Sequence, residues 1–153
     1  MKILMVCLGN ICRSPLAEGI LKDLVKKSGL NWQVDSAGTG GWHTGELPDK
    51  RSIAVAKKHG IDITDQRARK IRSSDFEEFD LIFAMDTSNY NDLNRLALED
   101  EKDKIKLIME VSKPGSRTSV PDPYWNDNGF EQVFNMLEES CNKIIEQYAK
   151  VKP

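Results

Sequence analysis

Four short apolar runs, set apart by stretches in which apolar residues recur every three or four positions, constrain the fold of this chain more than any other feature. Residues 2–8, 32–36, 80–85 and 104–111 are rich in Val, Ile, Leu or Phe and read as strands. After Ser14-Pro15, the residues Leu16, Ile20, Leu21, Leu24 and Val25 have helical spacing, with Pro15 suited to the first turn and Gly29 to the stop. A second helix is expected over residues 49–59, with Ile53, Val55 and Ala56 inward and Gly60 ending it. A third follows Asp86 and turns Tyr90, Leu93, Leu96 and Ala97 inward. The last, over residues 129–149, buries Phe130, Val133, Phe134, Leu137, Cys141, Ile144, Ile145 and Tyr148. The order β-α-β-α-β-α-β-α predicts an α/β fold: an open four-stranded parallel sheet with helices on both faces, joined by right-handed crossovers. At 153 residues the chain can bury such a core as one domain, residues 1–153.

The whole-chain balance removes several functions. A formal net charge of −2 gives no general pull toward nucleic acid, and the basic cluster at residues 67–70 is too short to create one. No apolar run is long enough to span a bilayer. Lys2 before an apolar run could suggest a signal peptide, but the run stops after six residues, at Gly9, with no small-residue cleavage site. Three cysteines, an odd number, fit a reducing compartment, and the cytoplasm is the simplest location.

Ligands of open α/β sheets bind beyond the carboxyl ends of the strands. Two loops stand at such ends: "CLGNICRS" at residues 7–14, and the long irregular stretch at residues 112–128, "SKPGSRTSVPDPYWNDN". A structureless loop of that length in a compact domain is more often functional than idle. In the first loop, Gly9 permits tight curvature, and successive backbone N–H groups with the following helix N-terminus can form an anion nest. Arg13 can bond two oxygens of a phosphate-like guest with its planar fork. A thiol at the bottom of the nest, Cys7, is favoured there as the nucleophilic thiolate. Attack on phosphorus is the natural reaction, with the N–H groups and Arg13 holding the equatorial oxygens. Cys-x5-Arg alone is a weak signal. The preceding strand, the Gly and Asn inside the loop and the Ser-Pro helix start strengthen it.

A leaving alkoxide or phenoxide needs a proton, and Asp122 is the candidate donor. It lies between Pro121 and Pro123, which restrict the backbone and remove two amide donors. A carboxyl beside a bound dianion is favoured in its protonated form and can serve first as acid, then as base toward water. An ordinary turn aspartate is the competing reading of Asp-Pro.

With these residues in place, "VCLGNICRSP" and "DPYW" together resemble the low-molecular-weight protein tyrosine phosphatases, as do "VDSAGTGGWHTG", "HGID", "RAR" and "FDLIFAMD" between them. The resemblance runs through the chain in order. It implies hydrolysis of phosphotyrosine proteins or small aryl phosphates through a cysteinyl-phosphate, with no metal and no cofactor. Cys7 corresponds to the nucleophile, Arg13 to the phosphate clamp and Asp122 to the acid and base. Leu8, Gly9, Asn10, Ile11, Cys12 and Ser14 correspond to the phosphate-binding loop. Asn10, Ser14, Ser36 and His59 correspond to the hydrogen-bond network that holds it. For His59, a cap near a helix C-terminus is an alternative. Trp42, Tyr124 and Trp125 correspond to the aromatic rim of the cleft, where an aryl group gains from stacking and burial. The family also implies a protective Cys7–Cys12 disulfide, with a buried spectator as the other reading of Cys12. Cys141, on the apolar face of the last helix, reads as core.

The resemblance leaves rivals on the same fold. Arsenate reductase chemistry needs relay thiols near the third strand and its helix, and residues 82–93 hold no cysteine. A protein-arginine phosphatase typically has threonine at the position of Ile11. A binding module would not need Cys7, Arg13 and Asp122 together. A metallophosphatase is disfavoured by a sequence with only His43 and His59 and no Cys-x-x-Cys pair.

Overall fold

The computed structural model describes residues 1–116 and 118–149. Strand β1 (Lys2–Cys7) is buried on both faces from Ile3 onward, as the centre of a parallel sheet must be. Helix α1 (Arg13–Lys27) and strand β2 (Gln33–Gly38) follow, then α2 (Lys50–Lys58), α3 (Ser73–Glu78) and β3 (Leu81–Ala84). Helix α4 (Thr87–Leu96), a 3-10 turn (Glu99–Lys104), β4 (Ile105–Leu107), α5 (Ile108–Ser112) and the long α6 (Phe130–Tyr148) complete the order. None of the helices is long and apolar enough to cross a membrane, among the described residues.

All pairings are parallel and the strand order is β2-β1-β3-β4, so the expected four-stranded sheet is present. Alternate residues of β1 serve opposite faces. Ile3, Met5 and Cys7 join the core under α1, α2, α5 and α6, whereas Leu4 and Val6 join a second core with Phe76, Phe79 and Leu93 from the α3 and α4 side. The chain leaves β1 toward β2 on one side, and β3 lies on the other. The carboxyl ends of β1 and β3 therefore flank the crevice where such sheets hold ligands.

Three departures from expectation have local causes. The apolar run at residues 104–111 is strand only over Ile105–Leu107; Ile108 and Met109 turn into α5 and are buried against the α6 side. Periodicity alone cannot separate a short buried strand from a buried helical turn. The unforeseen α3 starts where the Asp75 carboxylate accepts the Arg72 backbone N–H at 2.7 Å, and it carries Phe76 into the second core. Leu96, expected inward, is 55% exposed because α4 ends there.

Candidate active site

The site begins where β1 runs out. Past Cys7, paired with Gly38 in the sheet, Thr39 N–H donates to Cys7 O and Gly40 N–H to Leu8 O, so the end of β2 lies along the loop. A Cβ on Gly38 would meet Leu8 O at 2.8 Å and Gly40 O at 2.9 Å, which makes the missing side chain a condition of this approach. The backbone reverses at Asn10, with φ of 58°, a left-handed conformation that asparagine tolerates better than most residues.

Asn10 is held there by its own side chain. The Arg69 backbone N–H donates to Asn10 Oδ1 at 3.0 Å, which fixes the orientation of the amide. Asn10 Nδ2 then donates to Ser14 Oγ at 2.8 Å and to Ser36 Oγ at 2.9 Å. The Cys7 thiol, 3% exposed, receives the Asn10 backbone N–H at 3.3 Å and lies 3.0 Å from Ser14 Oγ. At the other loop thiol, burial and then the carboxylate of Asp49 push Cys12 far up and keep it protonated. All three cysteines are free thiols.

Arg13 opens α1, and its guanidinium is nearly inaccessible. It donates to Asp86 Oδ2 at 2.6 Å and to Val120 O at 3.0 Å. Burial works against its charge, but the Cys7 and Asp86 charges outweigh it and hold Arg13 above its ordinary value. Asp86 stands just beyond β3 and also caps α4 by accepting the Asn89 N–H at 2.7 Å. The switch in strand order thus brings the ends of β1 and β3 into one ion pair.

The second loop is pinned to the same place. Buried Val120 donates its N–H to Met85 O at 2.8 Å while its carbonyl accepts from Arg13. Two residues on, Asp122 Oδ2 lies 3.9 Å from Arg13 Nη2, and Asp122 Oδ1 accepts the Tyr124 N–H at 3.0 Å. A cleft of about 200 Å³ results, lined by Cys7, Leu8, Gly9, Ile11, Cys12, Arg13, Trp42, His43, Asp122, Tyr124 and Trp125. Its rim is aromatic and exposed: Trp42 rests over Gly40, where a side chain would collide with the ring, and Tyr124 meets Trp125 edge-on at 4.8 Å. Arg51 lies over the Tyr124 ring at 5.6 Å and chelates Asp49 through two nitrogens, at 2.9 and 3.0 Å.

The structure therefore gathers Cys7, Arg13 and Asp122, the loop residues and the three aromatics at one crevice. His59 is the correction. It is not bonded to Asn10, Ser14 or Ser36; it sits at the end of α2, stacks on Phe134 at 3.9 Å and pairs with Glu131 at 2.8 Å. Besides accepting from Asn10, Ser36 Oγ donates to Glu18 Oε1 at 2.6 Å. Sequence reasoning missed Glu18, Arg69 and Asp86. Glu18 sits among small and apolar residues of α1, a signal of burial for a charged group, but the Arg69 contact is through backbone and has no signature in residue type.

A family profile for "Low molecular weight phosphotyrosine protein phosphatase" matches residues 2–152. A relative with that description from Schizosaccharomyces pombe is 42% identical over 152 residues, covering 97% of both chains. The crystal structure of a protein tyrosine phosphatase from Entamoeba histolytica superposes with a TM-score of 0.93 at 40% identity, covering 98% of this chain and 97% of that one. A Drosophila arginine phosphatase does so with a TM-score of 0.91 at 39% identity, covering 100% of both.

Proposed function

The chain belongs to the low molecular weight phosphotyrosine protein phosphatase family, and from that premise we propose that it hydrolyses phosphotyrosine and aryl phosphate monoesters in two steps at the crevice between β1 and β3. Convergence of a buried thiol, a guanidinium and a carboxyl on one cleft carries the reading. In the first step the Cys7 thiolate attacks phosphorus, the S–P bond forms as the ester P–O bond breaks, and Asp122 gives its proton to the leaving oxygen. Arg13, already aimed by Asp86 and Val120, holds the equatorial oxygens. In the second step the Asp122 carboxylate takes a proton from water, whose oxygen attacks phosphorus and displaces the Cys7 thiolate with release of inorganic phosphate. The aromatic rim suits the length and flat face of a phosphotyrosine side chain. We place the chain in the cytoplasm, where Cys7 and its neighbours stay reduced.

Hydrolysis of p-nitrophenyl phosphate that persists in EDTA, and a loss of at least about a thousandfold in kcat for Cys7→Ser, are the expected results. Activity abolished by EDTA, or retained by Cys7→Ser, would sink the mechanism. The Drosophila relative supports a second reading, phosphoarginine as substrate. Ile11 borders the cleft here, and the expected preference is for a phosphotyrosine peptide over its phosphoarginine counterpart. The reverse order in kcat/KM favours the second reading.

A further inference from the structure

One buried carboxylate close to the loop has no part in those two steps. Glu18 lies on α1 and does not line the cleft. Its side chain is 4% exposed, Oε1 accepts from Ser36 Oγ at 2.6 Å, and Oε2 accepts from Lys22 Nζ at 2.5 Å. Burial pushes the Glu18 carboxyl above its ordinary value, against the pull of Lys22 and Ser36. Lys22, one helical turn on, is half-exposed and also feels the charges of Asp65 and Asp35. An exposed pair at this spacing would be a minor surface contact. Here one member is buried, so an unpaired Glu18 would be costly.

The hydrogen bonds give this pair a route to Cys7. Because Arg69 N–H occupies Asn10 Oδ1, Asn10 must donate to both serines. Each serine oxygen is then an acceptor; the Ser36 O–H turns to Glu18, and with Cys7 as the thiolate the Ser14 O–H turns to its sulfur. With Glu18 ionised and Cys7 a thiolate, every proton in the series has one direction. Protonating Glu18 would put a competing O–H against Ser36 and undo that order. Leaving it ionised without Lys22 would set an uncompensated negative charge near a loop that must hold a thiolate and a phosphate dianion. Both consequences disfavour the anionic sulfur.

We infer that Lys22 is a positioning residue for the proposed reaction, acting through Glu18: its ammonium neutralises the buried carboxylate and keeps the Ser36–Asn10–Ser14 series aligned on Cys7. The inference rests on the phosphatase reading of Cys7. Lys22 touches no substrate, and its effect falls on the reactivity of the thiol rather than on substrate affinity.

The test compares Lys22→Met, Lys22→Arg, Glu18→Gln and the double variant Lys22→Met/Glu18→Gln. For each, kcat and KM are measured on p-nitrophenyl phosphate, and the rate of Cys7 alkylation by iodoacetamide is measured on protein shown to be folded by circular dichroism. Lys22→Met should lose about fivefold in kcat and in alkylation rate with KM little changed, while Lys22→Arg stays near the parent. Adding Glu18→Gln to Lys22→Met should restore both rates to the level of Glu18→Gln alone, since no buried charge is left to neutralise. Parent-like rates in Lys22→Met, an equal loss in Lys22→Arg, or a double variant as slow as Lys22→Met would overturn the inference. Alkylation needs no turnover. A parent chain that alkylates at Cys7 but leaves the phosphate ester intact would therefore count against the phosphatase reading, while the alkylation series still decides the role of Lys22.

Discussion

Between Cys7 and Ser14 the polar side chains of Asn10, Arg13 and Ser14 are buried and bonded to distant parts of the fold, whereas around Asp122 the chain from Pro121 to Asn126 is exposed apart from Pro123 and follows the buried Val120. The first loop is held by Ser36 on β2, by Arg69 beyond α2 and by Asp86 beyond β3. These partners keep Asn10 in a conformation that costs on the order of 1–3 kcal/mol when unsupported. The second loop is tied by the Val120 N–H to Met85 O, just past β3, by Val120 O to Arg13, and by Ser119 Oγ, which accepts the Thr87 N–H at 3.3 Å. On the proposed mechanism the first loop is the phosphate cradle, which must exist before substrate arrives, and building it with the core meets that need. The same mechanism makes Asp122 the proton donor, which needs reach and access to water, and an exposed loop supplies both.

If that contrast holds, changes in the first loop should cost activity and stability together, and changes in the second should cost activity alone. Arg13→Lys is the strongest way to break it: loss of the fork should lower kcat on p-nitrophenyl phosphate about 100- to 1000-fold and also lower the melting temperature, because Asp86 and Val120 O lose a planar partner. A tenfold loss at unchanged stability would mean that the cradle is less pre-built than described. Next in size, Asp122→Asn should slow phenyl phosphate by about 100-fold and p-nitrophenyl phosphate by far less, since the better leaving group needs less help from an acid. The melting temperature should hardly move, as the side chain is 40% exposed.

Cys12 sharpens the comparison within the first loop. Burial keeps its thiol protonated, so Cys12→Ser should leave the initial rate within about twofold. Recovery by added thiol after peroxide treatment should be impaired if Cys12 captures oxidised Cys7; equal recovery would leave it a spectator. The smallest effect expected is one of pH. Arg51 holds the Asp49 carboxyl below the usual carboxylate range through a side-chain hydrogen bond. The folded state therefore binds the proton more weakly than the unfolded chain. The stabilisation is present above the ordinary carboxylate range and is lost as pH falls through the depressed value. Since Asp49 caps α2 and its N–H meets Ile11 O, acid unfolding followed by circular dichroism should begin at lower pH in the parent than in Arg51→Met.

Much of the fold could be read along the chain because strands and helices announce themselves by period. The regions that could not be read were those in which two structures share one pattern: apolar residues 105–111 suit a strand or a buried turn, and Leu96 has helical spacing but is the last residue of its helix. At the site, Cys7 and Arg13 share one loop and stand out by residue type. His59 shows the limit of carrying a role by likeness, because a histidine near a glycine at a helix end looks the same whether it faces the loop or, as here, Phe134 and Glu131.

Residue types and their order determined an alternating α/β chain with a thiol and an arginine at the end of the first strand, since helical and strand periods and the short loop from Cys7 to Arg13 are local properties. Only the tertiary structure decided which carboxylate meets which base. Asp86 reaches Arg13 across 73 residues because β3 pairs with β1, and Val120 carries Asp122 to the same crevice across 107. Glu18 meets Ser36 because α1 packs on β2. Such contacts depend on where elements come to rest in space, and no spacing along the chain encodes that distance.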